Sequence, residues 1–287
     1  MQSWADSLRQ HWPEYLMEAA GLGIFMISAA GVTTILEYPK SPLHDFLPDP
    51  VLRRVLIGIT MGLTAIGIIY SPWGKQSGAH LNPAVTLTFY RLGKIEGIDA
   101  LCYALAQLAG GLIGLVVASF TIGMAIEHPS VNYVVTVPGN AGPGIAFVAE
   151  VFISFGLMLT VLLVSNHRRL APFTGLIAGC LVAAYIGLEA PFSGMSMNPA
   201  RTFASALPAG IWTAFWIYLT APPFGMLLAA EVYTRIKSLK QVYCAKLHHQ
   251  NSKRCIFRCN YPALFASDQP SALRSPLRSH SLLKAQG

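Results

Sequence analysis

The chain has 287 residues and a formal net charge of +7; 53% of its residues are hydrophobic and 11% are charged. An ordinary soluble domain carries roughly 25% charged residues, so this composition excludes such a domain and indicates a membrane protein. The charge is uneven, because residues 1–233 have a net charge of −2 and residues 234–287 a net charge of +9. Few aromatic residues interleave with the basic residues of this tail, which argues against a nucleic-acid partner.

Six apolar stretches have the length of about 20 residues that a bilayer requires. In chain order they are Tyr15–Leu36, Val55–Ser71, Ile98–Ile126, Ile145–Ser165, Leu170–Ala190 and Ile211–Val232. Residues 1–12 contain Asp6 and Arg9 but no basic segment followed by a cleavage site, so we expect no removable signal peptide. The sequence predicts an all-α membrane protein with a short N-terminal segment (1–12), a channel domain (13–237) and a basic, largely disordered tail (238–287).

Basic residues between the spans predict the orientation of the chain in the membrane. Arg168 and Arg169 lie between the fourth and fifth spans, on the side of the basic tail, and cytoplasmic loops are enriched in Lys and Arg. Arg53 and Arg54 lie on the opposite side and disagree with this assignment. An even number of spans places both termini on the same side of the membrane, and the distribution of basic residues favours the cytoplasmic side. We expect the protein in the plasma (inner) membrane.

A ten-residue phrase, S-G-x-x-x-N-P-A-x-T, occurs twice, as Ser77–Thr86 and as Ser193–Thr202. A repeat of this kind indicates an ancestral duplication, with halves at about 13–126 and 143–236. Asn is a favoured helix N-cap and Pro is favoured at the first helical position. The apolar runs that follow, Ala84–Tyr90 and Ala200–Leu207, are too short to span a bilayer. The sequence therefore predicts two re-entrant half-helices, one in each half of an inverted repeat.

Half-helices that enter from opposite faces bring their N-terminal ends together near the middle of the membrane. Each end carries about half a positive elementary charge, which repels cations, while Asn82 and Asn198 offer hydrogen bonds to a neutral solute. We therefore predict a passive pore and no enzymatic activity. The residues expected to form its centre are Asn82, Pro83, Ala84, Asn198, Pro199 and Ala200.

A coupled secondary transporter is the alternative, since such proteins also contain inverted repeats and broken helices. Coupling requires a titratable or cation-binding group at the solute site. The centre predicted here holds two Asn residues and no acid, which favours the passive channel.

These motifs resemble those of the major intrinsic protein family, the aquaporins and aquaglyceroporins. The resemblance extends over about residues 10–237 and includes Glu18 and Glu150, the acidic residue in the first helix of each half, with the segments Ala106–Gly110 and Tyr218–Gly225. It implies six tilted helices plus two half-helices, a homotetramer with one pore per monomer, and no cofactor. It also implies that Glu18 and Glu150 are buried structural acids, which we expect to accept hydrogen bonds from the backbone before each half-helix.

The same resemblance places Arg201 in the outer constriction of the pore. A count back from the two Asn residues without gaps matches the other constriction positions to Gly62, Ile186 and Met195. Water-selective relatives have an aromatic residue and a His in this ring, and neither occurs here. The sequence thus predicts a wider, apolar ring that passes glycerol, urea or neutral metalloid acids besides water. A strictly water-selective pore is the alternative, because the flexible Met195 side chain can refill the gap.

Two further features lie around the tail side of the pore. His80 precedes the first Asn-Pro pair, and we expect it to pack and hydrogen bond there rather than act as a pH gate. The tail contains Cys244, His248, Cys255 and Cys259, and Cys and His are zinc ligands. A zinc site on these four residues is one interpretation; a flexible tail that touches anionic lipid, disordered from Asp268 onward, is the other.

Overall fold

A computed structural model describes residues 4–265, and the regular secondary structure of this part of the chain is helical, without strands. The α-helices are α1 (Trp4–Glu37), α2 (Pro42–Phe46), α3 (Pro50–Tyr70), α4 (Pro72–Ser77), α5 (Pro83–Arg91), α6 (Gly97–Ile122), α7 (Pro143–Ser165), α8 (Thr174–Ser193), α9 (Pro199–Ala209) and α10 (Phe215–Lys237). Short 3₁₀ turns occupy Gly123–Glu127, Asn132–Val134, Ala171–Phe173, Leu239–Gln241 and Tyr261–Leu264. The predicted all-α architecture is confirmed.

Among the described residues, six helices are long and apolar enough to cross a membrane: α1, α3, α6, α7, α8 and α10. Several of their boundaries differ from the sequence prediction, including the starts of α1 and α10. Helix α1 already begins at Trp4 and so includes most of the predicted N-terminal segment. Helix α10 begins at Phe215 rather than Ile211, because Gly210 (φ 67°) ends α9 in the left-handed region and Ala214 (φ 50°) repeats that turn before α10 starts.

The long helices pack mainly as three pairs: α1 with α6, α3 with α8, and α7 with α10. Glycines allow the backbones to approach closely at these crossings, as is common between membrane helices. A Cβ atom built on Gly110 of α6 would lie 2.1 Å from the Ala19 carbonyl oxygen, and one on Gly225 of α10 would lie 2.4 Å from the Val151 carbonyl oxygen. The corresponding helix pairs of the two halves, α1 with α6 and α7 with α10, therefore both pack closely through a glycine.

The half-helices α5 and α9 are exchanged between the two halves. Helix α5 packs against α10, the last span of the second half, and α9 packs against α6, the last span of the first half. The two half-helices also contact each other. Because each half-helix is held by the other half, their N-terminal ends meet inside the bundle, as the inverted repeat predicts.

The segment after α10 packs on the bundle face that carries the N-terminal end of α1 and the C-terminal end of α10, which we call the terminal face. Val242, Ala245 and Leu247 are buried there. Arg254 Nε donates to Glu14 Oε1 (2.7 Å). Residues 238–265 thus differ from the expected largely disordered tail, because apolar side chains and this ion pair attach them to the bundle; the expectation from Asp268 onward falls outside the described residues.

Candidate functional site

The two repeated phrases meet through reciprocal side-chain hydrogen bonds. Asn82 Nδ2 donates to the Met197 carbonyl and Asn198 Nδ2 donates to the Leu81 carbonyl, both at 2.7 Å. Each Asn Oδ1 accepts from its own half-helix, from Ala84 N in the first case (2.8 Å). Each Asn therefore caps one half-helix and holds the loop of the other. The carbonyl bond uses one of the two hydrogens on each amide nitrogen and leaves the second for a solute.

The loops before the half-helices have an unusual and matching backbone. Ala79 (φ 54°), Leu81 (φ 51°), Met195 (φ 50°) and Met197 (φ 53°) all lie in the left-handed region. For residues other than glycine this conformation costs about 1–3 kcal/mol each and persists only where surrounding contacts impose it. The equivalent positions in both loops indicate that the conformation is part of the site.

Glu18 supplies those contacts for the first loop. Its Oε1 accepts from the Ser77 hydroxyl (2.7 Å) and from His80 N (3.0 Å). Its Oε2 accepts from Leu81 N (2.6 Å) and from Gln107 Nε2 (2.8 Å). The carboxylate is fully buried, and four donors compensate its removal from water. Glu18 therefore positions the loop that carries the first Asn.

Glu150 has the same arrangement in the second loop. Its Oε1 accepts from the Ser193 hydroxyl (2.8 Å) and from Ser196 N (2.7 Å), and its Oε2 accepts from Met197 N (2.8 Å). Tyr218 donates to the Ser193 carbonyl at 2.5 Å. Both acids thus bind backbone of the re-entrant loops, which leaves neither of them free at the centre of the pore.

A cavity of about 360 Å³ surrounds the two Asn residues, far above the roughly 10–15 Å³ that a water molecule needs. Its lining runs from Val131 and Val134, on the face opposite the terminal face, to Leu247 on the terminal face. Polar side chains along it include Thr33, Arg54, His80, Asn82, Ser130, Ser196, Asn198 and Arg201. Most of the remaining lining is aliphatic, so hydrogen-bonding groups occur at a few fixed points along an apolar passage.

Three of the four predicted constriction residues, Ile186, Met195 and Arg201, line this cavity. Gly62 does not, and its assignment to the pore was wrong. A Cβ atom on Gly62 would lie 2.5 Å from the Gly179 carbonyl oxygen, so Gly62 faces α8. Met61 lines the cavity instead. The count without gaps was one residue off, and one residue corresponds to a rotation of about 100° around a helix.

Arg201 is held by its backbone, whose amide donates to Asn198 Oδ1 (3.3 Å). Its side chain lines the cavity, and its Nη1 is buried without a hydrogen-bond partner among the described residues. A guanidinium carries five donors and a permanent positive charge. An unpartnered donor at this point is available to a solute oxygen in the passage.

Arg54 also lines the cavity, although its sequence pattern indicated only a charged residue in a loop. Its Nε donates to the Gly187 carbonyl (2.9 Å), which fixes it between α3 and α8 at the cavity. Its neighbour Arg53 pairs with Glu37 (3.1 Å) and donates to the Leu47 carbonyl (2.8 Å). The two arginines that disagree with the orientation rule therefore have local structural partners. The sequence contains no signal for these partners beyond the charges themselves.

His80 connects the first loop to the segment after α10. One ring nitrogen lies 2.9 Å from the Ala245 carbonyl oxygen and the other lies 3.0 Å from Thr86 Oγ1. The ring stacks between Phe89 and Phe257, at centroid distances of 5.1 and 5.3 Å. His80 is therefore fixed by ring stacking and by hydrogen bonds, as expected from the sequence. The same contacts place the segment after α10 at the mouth of the cavity.

The structure brings three of the four predicted metal ligands together, with His249 in place of His248. The ligand atoms of Cys244, His249, Cys255 and Cys259 all lie within 4.8 Å of one another. His248 is not among them, and its ring instead contacts that of Tyr70 at 4.9 Å. Burial also lowers the pKa of His248. The spacing in the sequence favoured His248, but the path of the loop places the ring of His249 beside the cysteines.

Comparison with known proteins agrees with this geometry. The family model described as "Major intrinsic protein" matches residues 6–233. Aquaporin NIP1-3 of Oryza sativa subsp. japonica is 37% identical over 218 residues, 75% of this chain and 71% of that protein. A probable NIP-type aquaporin of Nicotiana alata is 34% identical over 184 residues, 63% of this chain and 66% of that protein. This chain therefore spans just under two thirds of the Nicotiana protein.

A solved structure shows the same fold at lower identity. The aquaglyceroporin from Plasmodium falciparum superposes with a TM-score of 0.68 at 20% sequence identity, over 79% of this chain and 97% of that chain.

Proposed function

The chain belongs to the major intrinsic protein family, whose members are channels rather than enzymes, and we propose that it is a passive channel for water and small uncharged solutes. Glycerol, urea and neutral metalloid acids are the proposed solutes besides water. The observation that carries the proposal is the pair of Asn side chains that each donate at 2.7 Å to the loop of the opposite half, inside a cavity of about 360 Å³.

Exclusion of ions follows from what faces the solute at the crossing. The N-terminal ends of α5 and α9 meet there, and each carries about half a positive elementary charge. Asn82 and Asn198 donate and accept hydrogen bonds without a net charge. A cation loses its water shell in this passage and meets positive dipole ends, whereas a neutral solute keeps its hydrogen bonds.

The ring around Arg201 supports passage of solutes that contain carbon. Met61, Ile186 and Met195 present apolar surface to the cavity, and Arg201 presents a free donor. An apolar wall lowers the cost of admitting the carbon skeleton of glycerol, because fewer wall groups lose hydrogen bonds to water. The Arg201 guanidinium binds a hydroxyl or carbonyl oxygen on the other side. A solute with one apolar and one polar edge suits this ring.

A water-only channel is the second candidate, and Met61 is the observation that favours it. Met61 reaches the cavity at the position where the sequence count had placed a glycine, so the ring is narrower than that count implied. Both methionines can adjust their side chains. The two candidates differ in solute flux alone.

Stopped-flow light scattering on proteoliposomes separates them. The rate of shrinkage in an impermeant osmolyte reports water flux, and the rate of re-swelling in glycerol, urea or boric acid reports solute flux. We expect both rates to be far higher in proteoliposomes than in empty liposomes. Water flux without any re-swelling would leave the water-only candidate. Solute flux that vanishes when the proton and sodium gradients are collapsed would contradict a passive channel and favour the coupled transporter.

We further propose that the protein is a homotetramer in the plasma (inner) membrane with both termini in the cytoplasm. The net charge of +9 on residues 234–287 supports that orientation. Accessibility of a cysteine introduced at Lys237, tested on intact cells with an impermeant maleimide, checks it. Labelling before cell lysis would contradict the orientation, and native mass spectrometry of the purified protein checks the tetramer.

A further inference from the structure

We propose that Cys244, His249, Cys255 and Cys259 bind one Zn²⁺ ion in a tetrahedral site, and that this site fastens the segment after α10 over the terminal-face mouth of the cavity. The four ligand atoms lie within 4.8 Å of one another. The site belongs to residues outside the membrane spans, so it stands independently of which solutes the pore conducts.

The distances within the cluster lie within about 1 Å of those in a tetrahedral zinc site. Zn–S bonds of about 2.3 Å and Zn–N bonds of about 2.0–2.1 Å separate neighbouring ligand atoms by roughly 3.5–3.8 Å. Here Cys244 Sγ lies 3.5 Å from Cys255 Sγ, and Cys259 Sγ lies 3.0 Å from His249 Nε2. A disulfide requires about 2.05 Å between the sulfurs. Three sulfurs and one imidazole converge, and a disulfide would use only two of them.

Outer contacts orient the ligands as in known metal sites. The amide of Tyr261, two residues after Cys259, donates to Cys259 Sγ (3.5 Å). The ring of Tyr261 also stacks on His249 with centroids 4.2 Å apart and an interplanar angle of 22°. These contacts hold Cys259 and His249 in place beside the other two ligands.

The charge of the surrounding segment matches the loaded site. Zn²⁺ with three thiolates and a neutral imidazole carries a net charge of −1. Lys246 lies in the same segment, is only 2% exposed, and donates its ammonium to the carbonyls of Lys253 (3.3 Å) and Arg254 (2.6 Å). Lys246 is two residues from Cys244 and binds the carbonyl of the residue before Cys255, so metal-bound thiolates at these cysteines compensate its buried charge. The basic character of the tail thus favours an anionic metal–thiolate centre, although it would repel a bare cation.

The segment that contains the ligands has little regular structure to hold it. Between Ser238 and Phe265 it forms only the 3₁₀ turns Leu239–Gln241 and Tyr261–Leu264, yet Val242, Ala245 and Phe257 are buried. Short loops of this kind commonly obtain their folding free energy from a structural metal. Sulfur-rich tetrahedral sites prefer zinc among the abundant divalent ions.

The site holds a specific part of this segment at the pore. Leu247 N donates to the Gly78 carbonyl (3.1 Å), the Ala245 carbonyl contacts His80, and Leu247 lines the cavity. Cys244 and His249 bracket these contacts in the chain. Binding of zinc therefore fixes Leu247 at the mouth, and loss of zinc releases it.

Metal analysis of the full-length protein tests the proposal. The protein is purified in detergent without chelators and with an affinity tag that contains no histidine. We expect about one zinc ion per chain by inductively coupled plasma mass spectrometry, as a closed four-ligand site requires. Co²⁺ exchanged into the same protein should give the visible d–d bands and thiolate charge-transfer bands of tetrahedral cobalt.

Matched variants separate this site from adventitious binding. Cys255→Ser and His249→Ala should lower the zinc content at least about tenfold under competition with a chelator, whereas His248→Ala should retain it. Zinc content near zero with no cobalt spectrum in the wild-type protein would overturn the proposal, and so would a disulfide among Cys244, Cys255 and Cys259. Equal zinc loss in the two histidine variants would overturn the ligand assignment. If a variant does not accumulate, the cobalt spectrum of the wild-type protein still shows whether a tetrahedral thiolate site is present.

Discussion

The position of Gly62 gives the sharpest test of the structure, because sequence and structure assign it opposite surroundings. If Gly62 lined the pore, a larger side chain would narrow the passage and change selectivity. In the structure a Cβ at this position lies 2.5 Å from the Gly179 carbonyl oxygen and 2.9 Å from Ala183 Cβ. Gly62→Ala should therefore push α3 away from α8 and leave the pore lining unchanged.

The magnitude follows from those two distances. Ordinary carbon contacts lie at about 3.5–4.0 Å, so α3 and α8 must separate by roughly 1 Å around the substitution. Overpacking of this kind costs about 1–3 kcal/mol. We expect a lower midpoint of thermal unfolding for Gly62→Ala in detergent, measured by scanning fluorimetry, and an unchanged ratio of glycerol to water permeability in proteoliposomes.

Met61→Ala is the matched control, one residue away on the same helix. Met61 lines the cavity, so shortening its side chain widens the ring, and the ratio of glycerol to water permeability should rise. The reasoning is refuted if Gly62→Ala keeps the wild-type unfolding midpoint and changes the permeability ratio, or if Met61→Ala leaves the ratio unchanged.

Three further substitutions test the other parts of the site. Asn198→Asp removes the amide that donates to the Leu81 carbonyl at 2.7 Å and adds a negative charge, so we expect cation conductance in planar bilayers; unchanged conductance would contradict the site. Glu150→Gln weakens three hydrogen bonds to a fully buried carboxylate and should destabilise the fold by about 1.5–3 kcal/mol, read from thermal unfolding. Ile186→His adds a polar wall and should lower glycerol flux relative to water flux; an equal effect on both would argue against a filter role.

Much of this protein was predictable from local sequence signals. Span length follows from the thickness of the bilayer, and an Asn-Pro pair favours the start of a helix. The repeated phrase then predicted that Asn82 and Asn198 have equivalent structural surroundings. The structure brings the two side chains to opposite loops at the same 2.7 Å. These features depend on short stretches of chain and on internal symmetry, both of which can be read without coordinates.

Other features were decided by the tertiary structure alone. The choice between Gly62 and Met61 depends on the rotation of α3 against α8, and the choice between His248 and His249 depends on the path of a loop with little regular structure. The contact of Arg254 with Glu14 joins residues 240 positions apart. A single-residue shift turns a helical side chain by about 100°, and only the neighbouring element determines which side faces it. Sequence patterns specify which elements form; the packing between distant elements specifies which atoms face the pore.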